Sequence, residues 1–232
     1  MRTVLLHGFT GGATSFAHLP VDAVTPELPG HGSAPPATSW EDALAELQKL
    51  LDPGPVVLGG YSMGARLALA LALRRPEKIA RLVLASGTAG IEDETERASR
   101  RAHDEELARF IETHDIAAFV DRWQANEIVS LKSFQVESFQ LERLRAQRLR
   151  HQPAKLAGAL RRLGSGAQPS YWDDLHRLSM PVVLLAGARD PKFAAIAARM
   201  HARLRSSELR VVEECGHVIH VEKPEVFTGA LR

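Results

Sequence analysis

Residues 60 to 64 read GYSMG, a G-x-S-x-G pattern centred on Ser62. A serine hydroxyl is a weak base and a weak nucleophile unless a histidine takes its proton. The pattern follows a short apolar run, "VVLGG", and opens a long apolar stretch, "ARLALALALRR". That is the order strand, sharp turn, helix, a nucleophile elbow. Its flanking glycines let backbones approach closely, and it places the serine on a strained turn at a helix N-terminus, where N–H groups favour negative charge. The chain has ten histidines, so position must choose among them. His217 follows "LRVVEECG" and Asp190 follows "VVLLAGAR", each just beyond an apolar run that reads as a strand. Open parallel sheets carry their sites at the C-terminal edge of the strands. Ser62, Asp190 and His217 are therefore expected to meet there: serine, orienting acid and base, in the chain order Ser, Asp, His.

A developing oxyanion also needs donors. The backbone N–H of Met63, just after the elbow serine, and that of Phe9, in the loop "HGFTGG", are the candidates, with Gly11 and Gly12 freeing that loop to approach. Arg66 stands one helical turn past the serine. A first-turn cation opposes the helix dipole, so either a surface position, an internal ion pair or an anionic substrate must account for it. Arginine presents a planar fork suited to carboxylates. His7 and His31 read as loop-organising residues, and His220 as either pocket lining or a backbone tie. Neither a paired-cysteine nor an HExxH pattern is present, so no metal and no cofactor is expected.

These residues need elements to hold them. "TVLLHG", "PVVLGG", "IARLVLAS", Pro181 to Gly187 and "ELRVVEECGH" read as strands, with a weaker one from Val21 to Thr25. Helical patterns intervene at "TSWEDALAELQKLL", where Ser39 and Asp42 resemble a capping box, after Ser62, and around Ala194 to Leu204. Alternating strand and helix imply right-handed βαβ units and a parallel sheet. From Gly90 to Trp172 no strand signal is found, and the segment is helical and charge-laced. The expected organisation is one domain: a core of residues 1–87 and 173–232, and a helical cap or lid of residues 88–172.

The 232 residues, 45% of them hydrophobic, suffice for such a core. A formal net charge of +1 gives no general attraction to nucleic acid or anionic membranes. Cys215 is the single cysteine, which rules out an internal disulfide and fits a reducing compartment. No run approaches the roughly 20 apolar residues of a membrane span, and the apolar start is too short for a signal peptide. A cytoplasmic monomer or small homo-oligomer is expected.

The motifs "LHGF", "ELPGHG", "GYSMG", "ARD" and "CGH" resemble the α/β-hydrolase superfamily over nearly the whole chain. Within it, "LHGFTGG", "GYSMGAR", "RDPKF", "GHVIHVEKP", "AGIEDETERASRR" and "QRLRHQPAKLAGAL" resemble the 2-succinyl-6-hydroxy-2,4-cyclohexadiene-1-carboxylate synthases, lyases of menaquinone biosynthesis. The resemblance implies a mostly parallel sheet flanked by helices, with a helical cap. It also implies a serine–histidine pair that abstracts a substrate proton and expels pyruvate. By matching motifs, Ser62, Asp190 and His217 take the triad roles. Arg66, Arg100 and Arg148 engage the carboxylates of a small tricarboxylate substrate, and Tyr61 and Trp123 line the pocket. Arg101 and Arg150 are the alternatives in the cap register. Two departures stand out: aliphatic Ile128 or Val129 where an aromatic is expected, and a start at "TVLLHG" without the usual leading hairpin. A serine carboxylesterase or carbon–carbon bond hydrolase on the same scaffold is the alternative activity.

Overall fold

The computed structural model describes residues 1–126, 131 and 138–232. Ile128 and Val129 lie outside the described residues. Six strands form one sheet, all parallel: β1 (Thr3–Leu6), β2 (Ala23–Val24), β3 (Val56–Tyr61), β4 (Ile79–Ala85), β5 (Val182–Gly187) and β6 (Ser207–Val212). Their order is β2-β1-β3-β4-β5-β6. Every residue of β1, β3 and β5 is buried, as the continuous apolar runs require of strands covered on both faces. Side chains alternate between two cores. Val4, Leu58, Leu84 and Leu184 point to the face covered by α1 (Trp40–Leu47), α2 (Met63–Arg74) and α7 (Pro191–His201). Leu5, Val57, Val83 and Val183 point to the face covered by α8 (Ile219–Glu222) and α9 (Pro224–Ala230).

The connection from β1 runs to one edge of the sheet, and that from β3 runs toward the other. The crevice beyond the C-terminal ends of these neighbours is the switch point where open α/β sheets bind ligands. Gly8 to Gly12 and Ser62 stand at its two sides.

Between β4 and β5 come α3 (Glu94–Thr113), α4 (Ile116–Gln124), α5 (Ser138–Leu149) and α6 (Pro153–Leu163). They build a small core of their own from Ala108, Ile111, Phe119, Val120, Leu156, Ala157 and Leu160, and Phe9 from the loop after β1 packs against it. The polar helix α3 buries only Asp104, Ala108 and Ile111, one stripe at spacings of four and three. Most of its other charged residues are exposed, with Arg97, Arg100 and Glu105 half-buried.

Boundaries differ from the sequence expectation where capping decides. Helix α7 starts at Pro191, ahead of the periodic apolar residues. Asp190 caps it, its Oδ1 accepting the Phe193 N–H, and proline suits the first helical position. Ser39 caps α1 through the Asp42 N–H, whereas the Asp42 carboxylate turns to Thr38, so only half of the capping box forms. The weak strand expected over Val21 to Thr25 is two residues of β2. No helix among the described residues is long and apolar enough to cross a membrane.

Candidate active site

Ser62 joins β3 to α2 with φ 52° and ψ −110°, a conformation that costs a non-glycine residue roughly 1–3 kcal/mol. Two glycines make the elbow possible by the space they leave. A Cβ on Gly64 would overlap the carbonyl of Leu6, and one on Gly60 would overlap the backbone of Gly64. The turn is thus pressed against β1, and the serine side chain is held out over the sheet edge.

His217 lies after β6, buried at 4% exposure, with its Nε2 3.2 Å from Ser62 Oγ. Its Nδ1–H donates to Asp190 Oδ2 at 2.6 Å, which leaves Nε2 as the acceptor facing the serine hydroxyl. The residues on either side of His217 are clamped by one carboxylate: Glu222 accepts the N–H of Gly216 at 2.5 Å and of Val218 at 2.8 Å. Ser86, just past β4, donates its hydroxyl to the His217 carbonyl at 2.8 Å. The Arg189 N–H donates to the Cys215 carbonyl at 2.9 Å, tying the aspartate loop to the histidine loop. The ends of β3, β5 and β6 thereby hold Ser62, Asp190 and His217 in one hydrogen-bonded line.

The Phe9 and Met63 backbones line the same cleft as Ser62, and the described residues supply no acceptor to either N–H. The Phe9 loop is shaped by His7. His7 Nδ1–H donates to the Gly8 carbonyl at 2.8 Å, and Nε2 accepts the Leu28 N–H at 3.1 Å. The bond accepted by Nε2 requires the neutral ring. Burial pushes the pKa of His7 down from its ordinary 6.5 to about 4. A second tie comes from His151, just past α5. It donates Nε2–H to the Thr10 carbonyl at 3.0 Å and accepts the Gly32 N–H on Nδ1 at 3.2 Å. Its edge meets His31, which in turn meets His7.

These buried histidines make stability depend on pH. The unfolded chain takes up the His7 proton below pH 6.5 and the folded chain only near pH 4, so acidification favours unfolding between those values. From pH 7 to pH 5 the His7 contribution falls by about 2 kcal/mol. Burial pushes His31, His151 and His220 the same way. Urea unfolding should therefore show a clear drop in midpoint between these pH values, smaller in His7→Gln; equal midpoints at both would contradict the assignment.

The cleft encloses about 230 Å³. Arg66 lines it from the first turn of α2, buried, donating Nη2–H to the Leu163 carbonyl at 2.8 Å and Nη1–H to Gln168 Oε1 at 3.3 Å. Burial, with Arg100 adding, lowers its pKa to about 9, so it remains a cation at neutral pH. Arg148 lines the cleft from α5, also buried. Neither arginine pairs with a carboxylate among the described residues. Arg100 enters from α3, while Arg101 turns away to Glu94 and the Gly166 carbonyl, and Arg150 is exposed outside the cleft. Tyr61 and Trp123 lie in the wall, Tyr61 against the rings of His217 and His220, Trp123 against Phe9. His220 is thus pocket lining.

The sequence reading missed four residues that shape the site. Lys192, in the quoted "RDPKF", brings a further cation to the cleft. Gln168 is fully buried and bridges Arg66 to the Thr88 carbonyl. Glu222 and His151 act across loops. Only the motif carrying Lys192 held a local signal. Gln168 and His151 are defined by partners far away along the chain, and Glu222 by a fold-back of its carboxylate onto N–H groups four and six residues earlier, in a segment without a regular pattern.

Comparison with known proteins gives a consistent answer. Residues 3–230 match the alpha/beta hydrolase family. A Bacillus subtilis (strain 168) protein provisionally named 2-succinyl-6-hydroxy-2,4-cyclohexadiene-1-carboxylate synthase is 37% identical, over 97% of this chain and 86% of that protein. The Escherichia coli O1:K1 / APEC protein of that name is 29% identical, over 98% of this chain and 91% of its own. The solved structure of MenH from S. aureus superposes with a TM-score of 0.91 at 29% identity, covering 98% of this chain and 91% of that one. This chain belongs to the alpha/beta hydrolase family.

Proposed function

We propose that this chain is a carbon–oxygen lyase of menaquinone biosynthesis. It eliminates pyruvate from 2-succinyl-5-enolpyruvyl-6-hydroxy-3-cyclohexene-1-carboxylate to give 2-succinyl-6-hydroxy-2,4-cyclohexadiene-1-carboxylate, the compound for which its relatives are named. The observation that carries this reading is the pair of buried guanidinium groups, Arg66 and Arg148, in the same cleft as Ser62 and His217 and without a carboxylate partner among the described residues. A neutral ester would leave such cations uncompensated, at a considerable desolvation cost. The substrate has three carboxylates to offer them.

The chemistry follows from the substrate's own bonds. The ring C2–H is acidic because it lies next to the succinyl ketone. Ser62 Oγ takes this proton as its own passes to His217 Nε2, and Asp190 holds the imidazolium that results. The freed electron pair forms the C2–C3 double bond, the C3–C4 double bond shifts to C4–C5, and the C5–O bond breaks. Enolpyruvate leaves, and with the proton returned by His217 it becomes pyruvate. Negative charge gathers meanwhile on the ketone oxygen, where the N–H groups of Phe9 and Met63 stabilise it. Arg66, Arg100 and Arg148 hold the carboxylates, and Tyr61 and Trp123 form the wall. Residues 88–172 serve as the cap that supplies Arg100, Trp123 and Arg148 to machinery carried by residues 1–87 and 173–232.

Substrate carrying deuterium at C2 should release pyruvate with a primary isotope effect, and the intact mass of the protein should stay unchanged during turnover. An acyl adduct on Ser62, with no isotope effect, would favour an ester hydrolase instead.

A further inference from the structure

One carboxylate lines the cleft without a part in the proposed reaction. Asp104 sits in the narrow buried stripe of α3 at 4% exposure. Its Oδ1 accepts the Arg100 Nε–H at 2.8 Å, and its Oδ2, equally buried, has no hydrogen-bond partner among the described residues. An ionised oxygen buried without a donor is unfavourable, so its retention calls for a use.

The surroundings are built around it. Gly164, at the end of α6, faces Asp104 Oδ2, and a Cβ there would overlap that oxygen. The φ of Gly164 is −60°, which any residue adopts, so space and not backbone freedom selects glycine. The preceding residue, Leu163, supplies the carbonyl that anchors Arg66. Asp104, Arg100 and Arg66 therefore form one cluster on one wall, and Asp104 opposes the mutual repulsion of the two cations. The cations lining the cleft among the described residues are Arg66, Arg100, Arg148 and Lys192, and Asp104 is the acid set against them.

We propose that Asp104 is a positioning residue and resident counter-anion of the carboxylate-binding site. It grips Arg100 through Nε, which leaves the Nη edge of that guanidinium for a substrate carboxylate. It also lowers the positive potential at Arg66 and Arg100, so that anionic products are released rather than retained. The inference rests on the reading of the cleft as a polycarboxylate site, and it separates into a geometric part and a charge part. Asparagine can supply an acceptor to Arg100 Nε but carries no charge. Alanine supplies neither.

The two variants are compared in turnover and in calorimetric binding of citrate, a non-reacting tricarboxylate, at fixed ionic strength. Asp104→Ala should raise KM and weaken citrate by about tenfold, the worth of one charge-assisted hydrogen bond, with kcat little changed. Asp104→Asn should keep KM at or below the wild-type value and bind citrate several-fold more tightly than the wild type. Equal losses in both variants, weaker citrate binding in Asp104→Asn, or no change in either would overturn the proposal. So would a failure of citrate to bind the wild-type protein, which would also remove the polycarboxylate reading. If citrate shows the expected split and no pyruvate is released from the enolpyruvyl substrate, the role of Asp104 stands and only the assigned reaction falls.

Discussion

Ser62→Ala should lower pyruvate release by about 100- to 10,000-fold, the range lost with a positioned general acid–base group. The effect should fall on kcat with KM nearly unchanged, because the arginines proposed to hold the carboxylates remain. Ser62 Oγ is the atom placed 3.2 Å from His217 Nε2, and no other hydroxyl group donates to that nitrogen among the described residues. The fold should not suffer, since alanine keeps the Cβ and the elbow is set by Gly60 and Gly64. Ser62→Gly makes the point more sharply. It should be equally inactive and no less stable, because glycine adopts the φ of 52° at this site without strain. Near-normal turnover in either variant, measured by coupled pyruvate detection, would remove Ser62 from the proton path.

Arg66→Ala carries the second largest effect. A hydrogen bond to a charged group contributes about 1.5–3 kcal/mol, so kcat/KM should fall roughly 10- to 150-fold. Stability should change little, because two consequences oppose each other. The Leu163 carbonyl and Gln168 Oε1 lose a donor, while a buried cation without a carboxylate partner is removed. Arg66→Lys should recover only part of the loss. One ammonium cannot reach the Leu163 carbonyl and also present a planar fork to a carboxylate. Unchanged kinetics in Arg66→Ala would place Arg66 outside the substrate site.

The legibility of these residues in the sequence follows the length scale of their partners. Ser62, Asp190 and His217 each follow an apolar strand, so local pattern and the geometry of parallel sheets sufficed to bring them together. Arg66 is one turn from the elbow and inherits its position. Arg100 and Arg148 came only through family resemblance, with Arg101 and Arg150 left open. The structure puts Arg100 in the cleft because the Asp104 stripe of α3 faces inward, whereas Arg101 finds Glu94 and the Gly166 carbonyl outside; Arg148 is the buried residue of α5, and Arg150 lies exposed just past that helix. Asp104 itself was invisible among the charges of "ETERASRRAHDEELARF". An acid on a mixed-charge helix is ordinarily solvated, and only its contact with Gly164, sixty residues on, marks it as different. His151 was hidden for the same reason, since it bonds backbone groups of Thr10 and Gly32 more than a hundred residues earlier; Glu222 was hidden because its fold-back onto Gly216 and Val218 follows no regular spacing.

The central claim is that the Ser62–His217 pair runs an elimination on a polyacid and not the hydrolysis of an ester. The most direct measurement supplies the wild-type protein with 2-succinyl-5-enolpyruvyl-6-hydroxy-3-cyclohexene-1-carboxylate and, in parallel, a small neutral aryl ester, following pyruvate by a coupled dehydrogenase and the ester by its phenol. The account predicts one pyruvate released per cyclohexadiene formed and ester turnover near background. Rapid ester cleavage with no pyruvate would contradict it.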